Sequence, residues 1–210
     1  MIHHAALGDR SMSLTAEVIR ILGERATHQI NFNLGRCRID PTAFSRVQSM
    51  LRSESIGVQT DPDLPDRARY DRNGPTLFLW SDADENQIRS DADSKALIVH
   101  ECVHVITHAQ ASRAIDGIED ETVAFLAQTL YRLAIQGYTH QGSGERGGDY
   151  SRTIHHFRDR PTGRIFDAAQ QIVFDHEMLD QTACTPLFDR DVERLREAIR
   201  AHPAYATSAS

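Results

Sequence analysis

Five consecutive residues near the middle of the chain carry the strongest chemical signal in this sequence. They read His100-Glu101-Cys102-Val103-His104, an HExxH pattern with uncharged residues on both sides. On an α-helix, residues four apart lie about 40° apart around the axis, so both imidazoles would project from one face toward a single metal ion. Glu101 lies about 100° further round, within reach of a water molecule beside that ion. The pattern predicts a catalytic zinc site with His100 and His104 as ligands and Glu101 as general base.

A catalytic zinc ion usually takes a third protein ligand and leaves a fourth position for water. His108 continues the histidine spacing, but one further turn of helix puts it beyond easy reach of the same ion. We therefore expect His108 in a supporting or surface position. The metzincin pattern HExxHxxGxxH is excluded, because Thr107 and Gln110 stand at its glycine and third-histidine positions.

An acidic cluster at 119–121 is the better source of the third ligand. It opens a second helical pattern after a break at 114–117, so a carboxylate in its first turn could point back at the first helix. Glu121 fits best, because the small Ala124 three residues later would let the two helices approach closely. Glu119 is the alternative. Acidic residues are also favoured at helix N-termini by the helix dipole, which would explain the cluster without a metal.

HExxH followed by Glu121 and Ala124 in an ExxA arrangement resembles the gluzincins, the thermolysin-like zincins, whose third zinc ligand is a glutamate on the following helix. Residues 100–108 are similar to the start of their active-site helix, and residues 95–131 also resemble uncharacterised bacterial HExxH proteins. The resemblance implies an α+β, zincin-like fold, mostly helical with a small N-terminal sheet. Phe125 departs from the pattern, because many gluzincins carry there an aspartate that supports the first histidine. Another residue must then orient the histidines.

Thermolysin-like peptidases also use a histidine or tyrosine to stabilise the oxyanion of the tetrahedral intermediate. Candidates flank a polar, glycine-rich stretch at 141–148, and the sequence does not choose among them. They are Tyr138, His140, Tyr150, His155 and His156.

The elements that must position these residues follow from apolar spacing and from turn and cap residues. We expect Asp93 or Ser94 to cap the HExxH helix. By analogy with zincin folds, the β-rich run 76–80 is our candidate for the strand that holds an extended substrate, and a buried core strand without that role is the alternative. Strands are also expected at 30–34 and 56–59. Helices are expected at 13–25, 41–52, 118–137, 164–179 and 189–201.

Length and composition bound the remaining possibilities. The 210 residues, 40% of them hydrophobic, predict one domain over 1–210, with 1–12 and 203–210 flexible. The net charge of −7 argues against nucleic-acid and anionic-membrane partners. No signal peptide or bilayer-spanning stretch is evident, and three cysteines without CxxC spacing suggest no disulfide framework. The expected location is the cytoplasm, or outside the cell through a signal-peptide-independent secretion system.

These observations favour a zinc-dependent hydrolase, specifically a metallopeptidase acting on peptide or protein substrates. One alternative is a non-catalytic binding module with a structural or vestigial metal site. The other is a helical interaction domain without any metal.

Overall fold

The computed structural model describes residues 14–64, 68–111, 115–137, 161–179, 181 and 183–205. Over these residues the chain has an α+β fold in which helices dominate and six short strands form two separate sheets. The helices are α1 (14–22), α2 (Arg25–His28), α3 (Pro41–Arg52), α4 (Glu85–Ser90), α5 (Ala92–Gln110), α6 (Gly117–Ile135), α7 (Pro161–Asp175) and α8 (Asp189–Arg200). The strands are β1 (Phe32–Leu34), β2 (Cys37–Ile39), β3 (Gly57–Asp61), β4 (Ala68–Asp71), β5 (Thr76–Trp80) and β6 (Thr185–Leu187).

The first sheet has the order β2-β1-β6. Strands β1 and β2 form an antiparallel hairpin, and β6 pairs with β1 in parallel. The expected small N-terminal sheet is therefore present, but its third strand comes from the C-terminal part of the chain. Three residues are too few to show an alternating pattern, so β6 could not be predicted from residue spacing.

The second sheet has the order β3-β5-β4 and corrects one expectation. The predicted strand at 76–80 is present as β5, but it pairs with β3 on one side and with β4 on the other. A strand with both sides paired has no free edge to offer a substrate, so the substrate-holding role predicted for 76–80 is wrong. Strand β4 is one of the two edge strands of this sheet.

The structure shows the N-terminal caps of the two helices for which the sequence suggested cap residues. Asp40 caps α3 by accepting from the amide of Ala43, as expected from the Asp-Pro pair. Helix α5 is capped by Asp91, which accepts from the amides of Asp93 and Ser94, so those two residues already lie in the first turn and do not cap it.

Two other segments also differ from their predicted structure. The helix expected over 13–25 is divided into α1 and α2. The segment 203–210, expected to be flexible, forms a turn as far as Tyr205, whose ring packs against the core; residues 206–210 and 1–12 lie outside the described residues.

Helices α5 and α6 pack against each other in the middle of the fold. Every residue of α5 from Ile98 to Thr107 is buried, including the two histidines, so the helix is covered on all sides. Ala124 of α6 is fully buried, in agreement with the close helix approach that its small side chain predicted. None of the helices described is both long enough and apolar enough to cross a membrane.

Candidate metal centre

The residues of the HExxH pattern lie together on the buried part of α5. The rings of His100 and His104 have centroids 4.9 Å apart, and only 4% and 9% of these two residues is exposed. With Glu101 they form a group whose potential ligand atoms all lie within 4.8 Å of one another. This group could hold a metal ion; the sequence predicted the two histidines as ligands and Glu101 as the base beside the ion.

Glu121 of helix α6 lies close to the same two imidazole rings. Its Oε2 lies 3.3 Å from Nε2 of His100, and its Oε1 lies 3.6 Å from Nε2 of His104. Ligand atoms bonded to one tetrahedral zinc ion at about 2.0–2.2 Å are separated by roughly 3.4 Å. Each imidazole Nε2 therefore has one oxygen of Glu121 at about the separation expected between two ligands of one zinc ion.

Glu119, the alternative third ligand, faces elsewhere. A Cβ built on Gly35, in the turn between β1 and β2, would lie 2.7 Å from Oε1 of Glu119. Gly35 has φ +57°, where glycine is favoured, and its missing side chain leaves room for this carboxylate. Residues two apart on a helix point about 200° apart, so only Glu121 of the pair is brought to the histidines.

Two polar atoms of this cluster have unmet hydrogen-bonding capacity. Among the described residues, neither Nδ1 of His100 nor Oε2 of Glu121 has a hydrogen-bond partner, although both are buried. The 3.3 Å contact between Glu121 and His100 thus lacks the alignment of a hydrogen bond. A buried polar group left unpaired costs about 1–3 kcal/mol, and a cation held between the imidazoles and the carboxylate would remove that cost for Glu121. Two imidazole nitrogens and a carboxylate are a donor set that zinc accepts.

Asp120 contacts the ring nitrogen of His104 that does not face Glu121 and thereby orients the ring. Its Oδ2 lies 2.8 Å from Nδ1 of His104, its Oδ1 accepts from the hydroxyl of Thr107, and Arg72 contacts the same carboxylate. Burial lowers the pKa of His104, but the hydrogen bond with Asp120 and the negative charges of Glu101, Asp120 and Glu121 outweigh it and raise the pKa to about 9. The Nδ1 contact leaves Nε2 of His104 facing Glu121.

Asp120 is the supporting group that sequence reasoning missed. It was visible only as a member of the acidic cluster beside Glu121, with no spacing to assign its role. His100 has no comparable support: its ring packs edge-on against Phe125, with centroids 4.7 Å apart at 73°. Nδ1 of His100 therefore has no supporting carboxylate among the described residues, and the ring is supported by packing against Phe125.

Glu101 is held by the edge strand of the second sheet. Its Oε2 accepts a hydrogen bond of 2.8 Å from the backbone amide of Tyr70 in β4. The hydroxyl of Tyr70 lies 3.1 Å from Nδ1 of His108. His108 is exposed and outside the metal-binding group, in agreement with the supporting or surface position expected for it.

The two histidines, Glu101, Asp120 and Glu121 line one cleft of about 770 Å³. The cleft is formed by β4, α5, α6, the start of α7 and the turn after α8. The ring of Phe125 contacts the rings of Phe166 and Tyr205 along one wall, with centroid distances of 5.7 and 6.2 Å. The lining residues are Ala68, Arg69, Tyr70, Arg72, Leu97, His100, Glu101, His104, Asp120, Glu121, Phe125, Gln128, Thr162, Phe166, His202, Ala204 and Tyr205.

The five residues considered for oxyanion stabilisation all lie outside the described part of the chain: Tyr138, His140, Tyr150, His155 and His156. The cleft instead contains His202 and Tyr205, which sequence reasoning did not consider because they lie next to or within the segment expected to be flexible. Nδ1 of His202 accepts from the amide of Ala204, and its Nε2 lies 3.2 Å from the hydroxyl of Thr162. No sequence spacing connects these positions with 100–104.

Comparison with known proteins gives no family for this chain. No protein-family model matches it, and no solved structure matches it significantly. The functional argument therefore rests on the residues of the cleft.

Proposed function

We propose that this protein is a zinc-dependent hydrolase, specifically a metallopeptidase of the gluzincin-like zincin type. The observation that carries the proposal is the convergence of Nε2 of His100, Nε2 of His104 and the carboxylate of Glu121 beside Glu101. An HExxH helix followed by a helix that brings in a glutamate is the arrangement that the gluzincin resemblance implies.

In the proposed reaction His100, His104 and Glu121 would hold zinc, and the cleft would admit the substrate. Zinc bound there would polarise the scissile carbonyl and acidify water. Glu101 takes the proton of the attacking water and delivers it to the leaving amine. The Tyr70 amide fixes one oxygen of Glu101. Among the described residues no hydrogen bond holds its other oxygen, which can therefore take the proton.

A peptide substrate is supported by the position of β4. This edge strand borders the cleft, and the amide of Tyr70 points toward α5 and away from β5. Amide and carbonyl of one residue in an antiparallel ladder face the same side, so the carbonyl of Tyr70 also lies on the outer edge of β4, whereas its amide is already bonded to Glu101. An extended peptide can use such an edge.

One observation favours a non-catalytic metal-binding module as the second candidate. The carboxylate of Glu101 belongs to the same group of potential ligand atoms as the two histidines. If Glu101 and Glu121 both bind the ion, four protein ligands close the site and no position remains for water, as in structural zinc sites.

Metal content is the first test. We expect about one zinc per chain by elemental analysis of the purified protein, a loss of zinc in His104→Ala, and unchanged zinc in His108→Ala, the matched control on the same helix. A wild-type protein that contains no zinc, even after incubation with the metal, contradicts the proposal.

Glu101→Gln distinguishes the two candidate functions. As a general base, Glu101 contributes about 100- to 10,000-fold to turnover, so the variant should keep zinc and lose peptide cleavage by that factor. As a fourth ligand, its replacement should instead weaken zinc binding. The measurements are zinc affinity by chelator competition and cleavage of a peptide library by mass spectrometry.

A further inference from the structure

Unmet hydrogen-bonding capacity is concentrated in the cleft. Three buried side-chain atoms of cleft residues have no hydrogen-bond partner among the described residues: Nδ1 of His100, Oε2 of Glu121 and Oε1 of Gln128. Nδ1 of His100 is the ring nitrogen that does not face Glu121. The proposed zinc ion accounts for Oε2 of Glu121. It does not account for Oε1 of Gln128.

Gln128 lies on the same face of α6 as Glu121. The positions 121, 125 and 128 are spaced by four and three residues, so their side chains lie one above another along the helix. Seven residues advance the helix by about 10 Å, which corresponds to roughly three residues of extended peptide. The cleft therefore presents, in order along α6, the carboxylate at the histidines, the ring of Phe125 and the amide of Gln128.

The amide of Gln128 is buried with only 7% of the residue exposed, yet it lines a cleft. A primary carboxamide offers one acceptor and two donors, and an unpaired buried acceptor costs about 1–3 kcal/mol. Thr129, the next residue, also has a buried oxygen without a partner among the residues described, but it does not line the cleft. A ligand in the cleft could pair with Gln128 and not with Thr129.

We propose that Gln128 is a specificity-determining residue that hydrogen-bonds a neutral polar side chain, a carboxamide or hydroxyl, about three residues from the scissile bond. This inference rests on the proposed peptidase function. A neutral partner is expected because Gln128 carries no charge to compensate a buried ion. An apolar side chain at that subsite leaves the amide unpaired, and a hydrogen-bonding one does not.

The test is the cleavage profile of a random heptapeptide library with zinc-loaded wild type, Gln128→Leu and Thr129→Val. Wild type should prefer Asn, Gln, Ser or Thr over Leu at one subsite by about ten-fold. Gln128→Leu should lose or invert that preference and leave the other subsites unchanged, and Thr129→Val should match wild type. A Gln128→Leu profile identical to that of wild type, or an equal loss at every subsite, overturns the inference.

Capture of the same library on zinc-loaded Glu101→Gln protein, with and without Gln128→Leu, separates this inference from the proposed function. If wild type binds zinc but cleaves nothing, the peptidase proposal fails, and the sequences of the captured peptides decide the role of Gln128. A subsite preference that disappears with Gln128→Leu supports the inference. Capture of no peptide by either protein overturns it.

Discussion

Glu119 and Glu121 show how one helical turn gives identical side chains different surroundings. Glu121 lies 3.3 and 3.6 Å from the two imidazole nitrogens, whereas Glu119 lies against Gly35. Glu119 lies in the first turn of α6 and Glu121 just beyond it, so both are near the helix N-terminus, where the dipole favours acidic residues. Only the rotation about the helix axis distinguishes them.

Glu121→Gln should therefore weaken zinc binding by at least about 100-fold, because the buried carboxylate is lost as a ligand and as a negative charge. Glu119→Gln is the matched control and should bind zinc as wild type does. Chelator competition measures both affinities. Equal affinities in the two variants would mean that Glu121 does not bind the ion.

Asp120, in the same acidic cluster, has a different role from Glu121, because it supports the ring of His104. Glu119 lies against the hairpin turn, Asp120 contacts Nδ1 of His104, and Glu121 lies beside Nε2 of His100. Burial raises the pKa of Asp120, but its contacts with His104, Thr107 and Arg72 outweigh burial and hold the pKa below its ordinary value. Asp120 is therefore an ionised acceptor for Nδ1 of His104.

At the scale of elements, β4 is the strand that connects the second sheet with the histidine helix. It holds Glu101 through the amide of Tyr70, and the adjacent Arg72 contacts Asp120 of α6. Tyr70 lies in this short edge strand, and Arg72 lies in the turn that follows it. The geometry of the proposed general base thus depends on where a sheet edge lies and not on the HExxH helix alone.

Tyr70→Pro tests this role, because proline removes the backbone donor. The amide points at Glu101 and not at β5, so an edge-strand proline leaves the ladder bonds in place. We expect retained zinc and a fall in turnover of about ten-fold or more, since one charge-assisted hydrogen bond to Glu101 is lost. Tyr70→Phe keeps the amide and should cleave peptides at nearly the wild-type rate. Equal turnover in the two variants would show that the amide does not position Glu101.

At the scale of the whole molecule, ion pairs join the N-terminal helix to the helices around the site. Glu17 of α1, only 2% exposed, pairs with Arg20 and with Arg89 of α4. Glu24 pairs with Lys95 of α5 and accepts from the hydroxyl of Tyr131 in α6. These contacts hold α1 and the residues that follow it against α4, α5 and α6.

This network predicts how stability depends on pH. Burial raises the pKa of Glu17, but Arg20 and Arg89 outweigh burial and hold the pKa below its ordinary value of 4.5. A depressed folded-state pKa gives stabilisation that is complete above the unfolded pKa and is lost as pH falls through the folded pKa. Glu17→Gln should be less stable than wild type at neutral pH, and the difference should narrow below pH 4.5. Urea unfolding across pH measures it.

Glu197→Gln is the control for that experiment, because Glu197 is an exposed residue of α8 away from the network. Its unfolding midpoints should follow those of wild type at every pH. Curves for Glu17→Gln that run parallel to wild type through the acid range would exclude a contribution from Glu17.

The sequence by itself determined the local features of this protein. The HExxH spacing, the burial of α5 on all sides, the Asp-Pro start of α3 and the ExxA turn of α6 depend on residues within a few positions of one another. Helix period and capping act over that range, so the pattern of residue types is enough to predict them. His100, Glu101 and His104 were therefore identified as one group before any tertiary contact was known.

Tertiary structure decided which residues from distant segments complete the cleft. Tyr70 meets Glu101 through a backbone amide, which every residue except proline possesses, so no residue type marks it in the sequence. The turn with His202 and Tyr205 reaches the cleft because α8 packs back on the core, and β5 became a central strand because β3 and β4 pair with it. Such contacts depend on the packing of whole elements, which residue spacing along the chain does not encode.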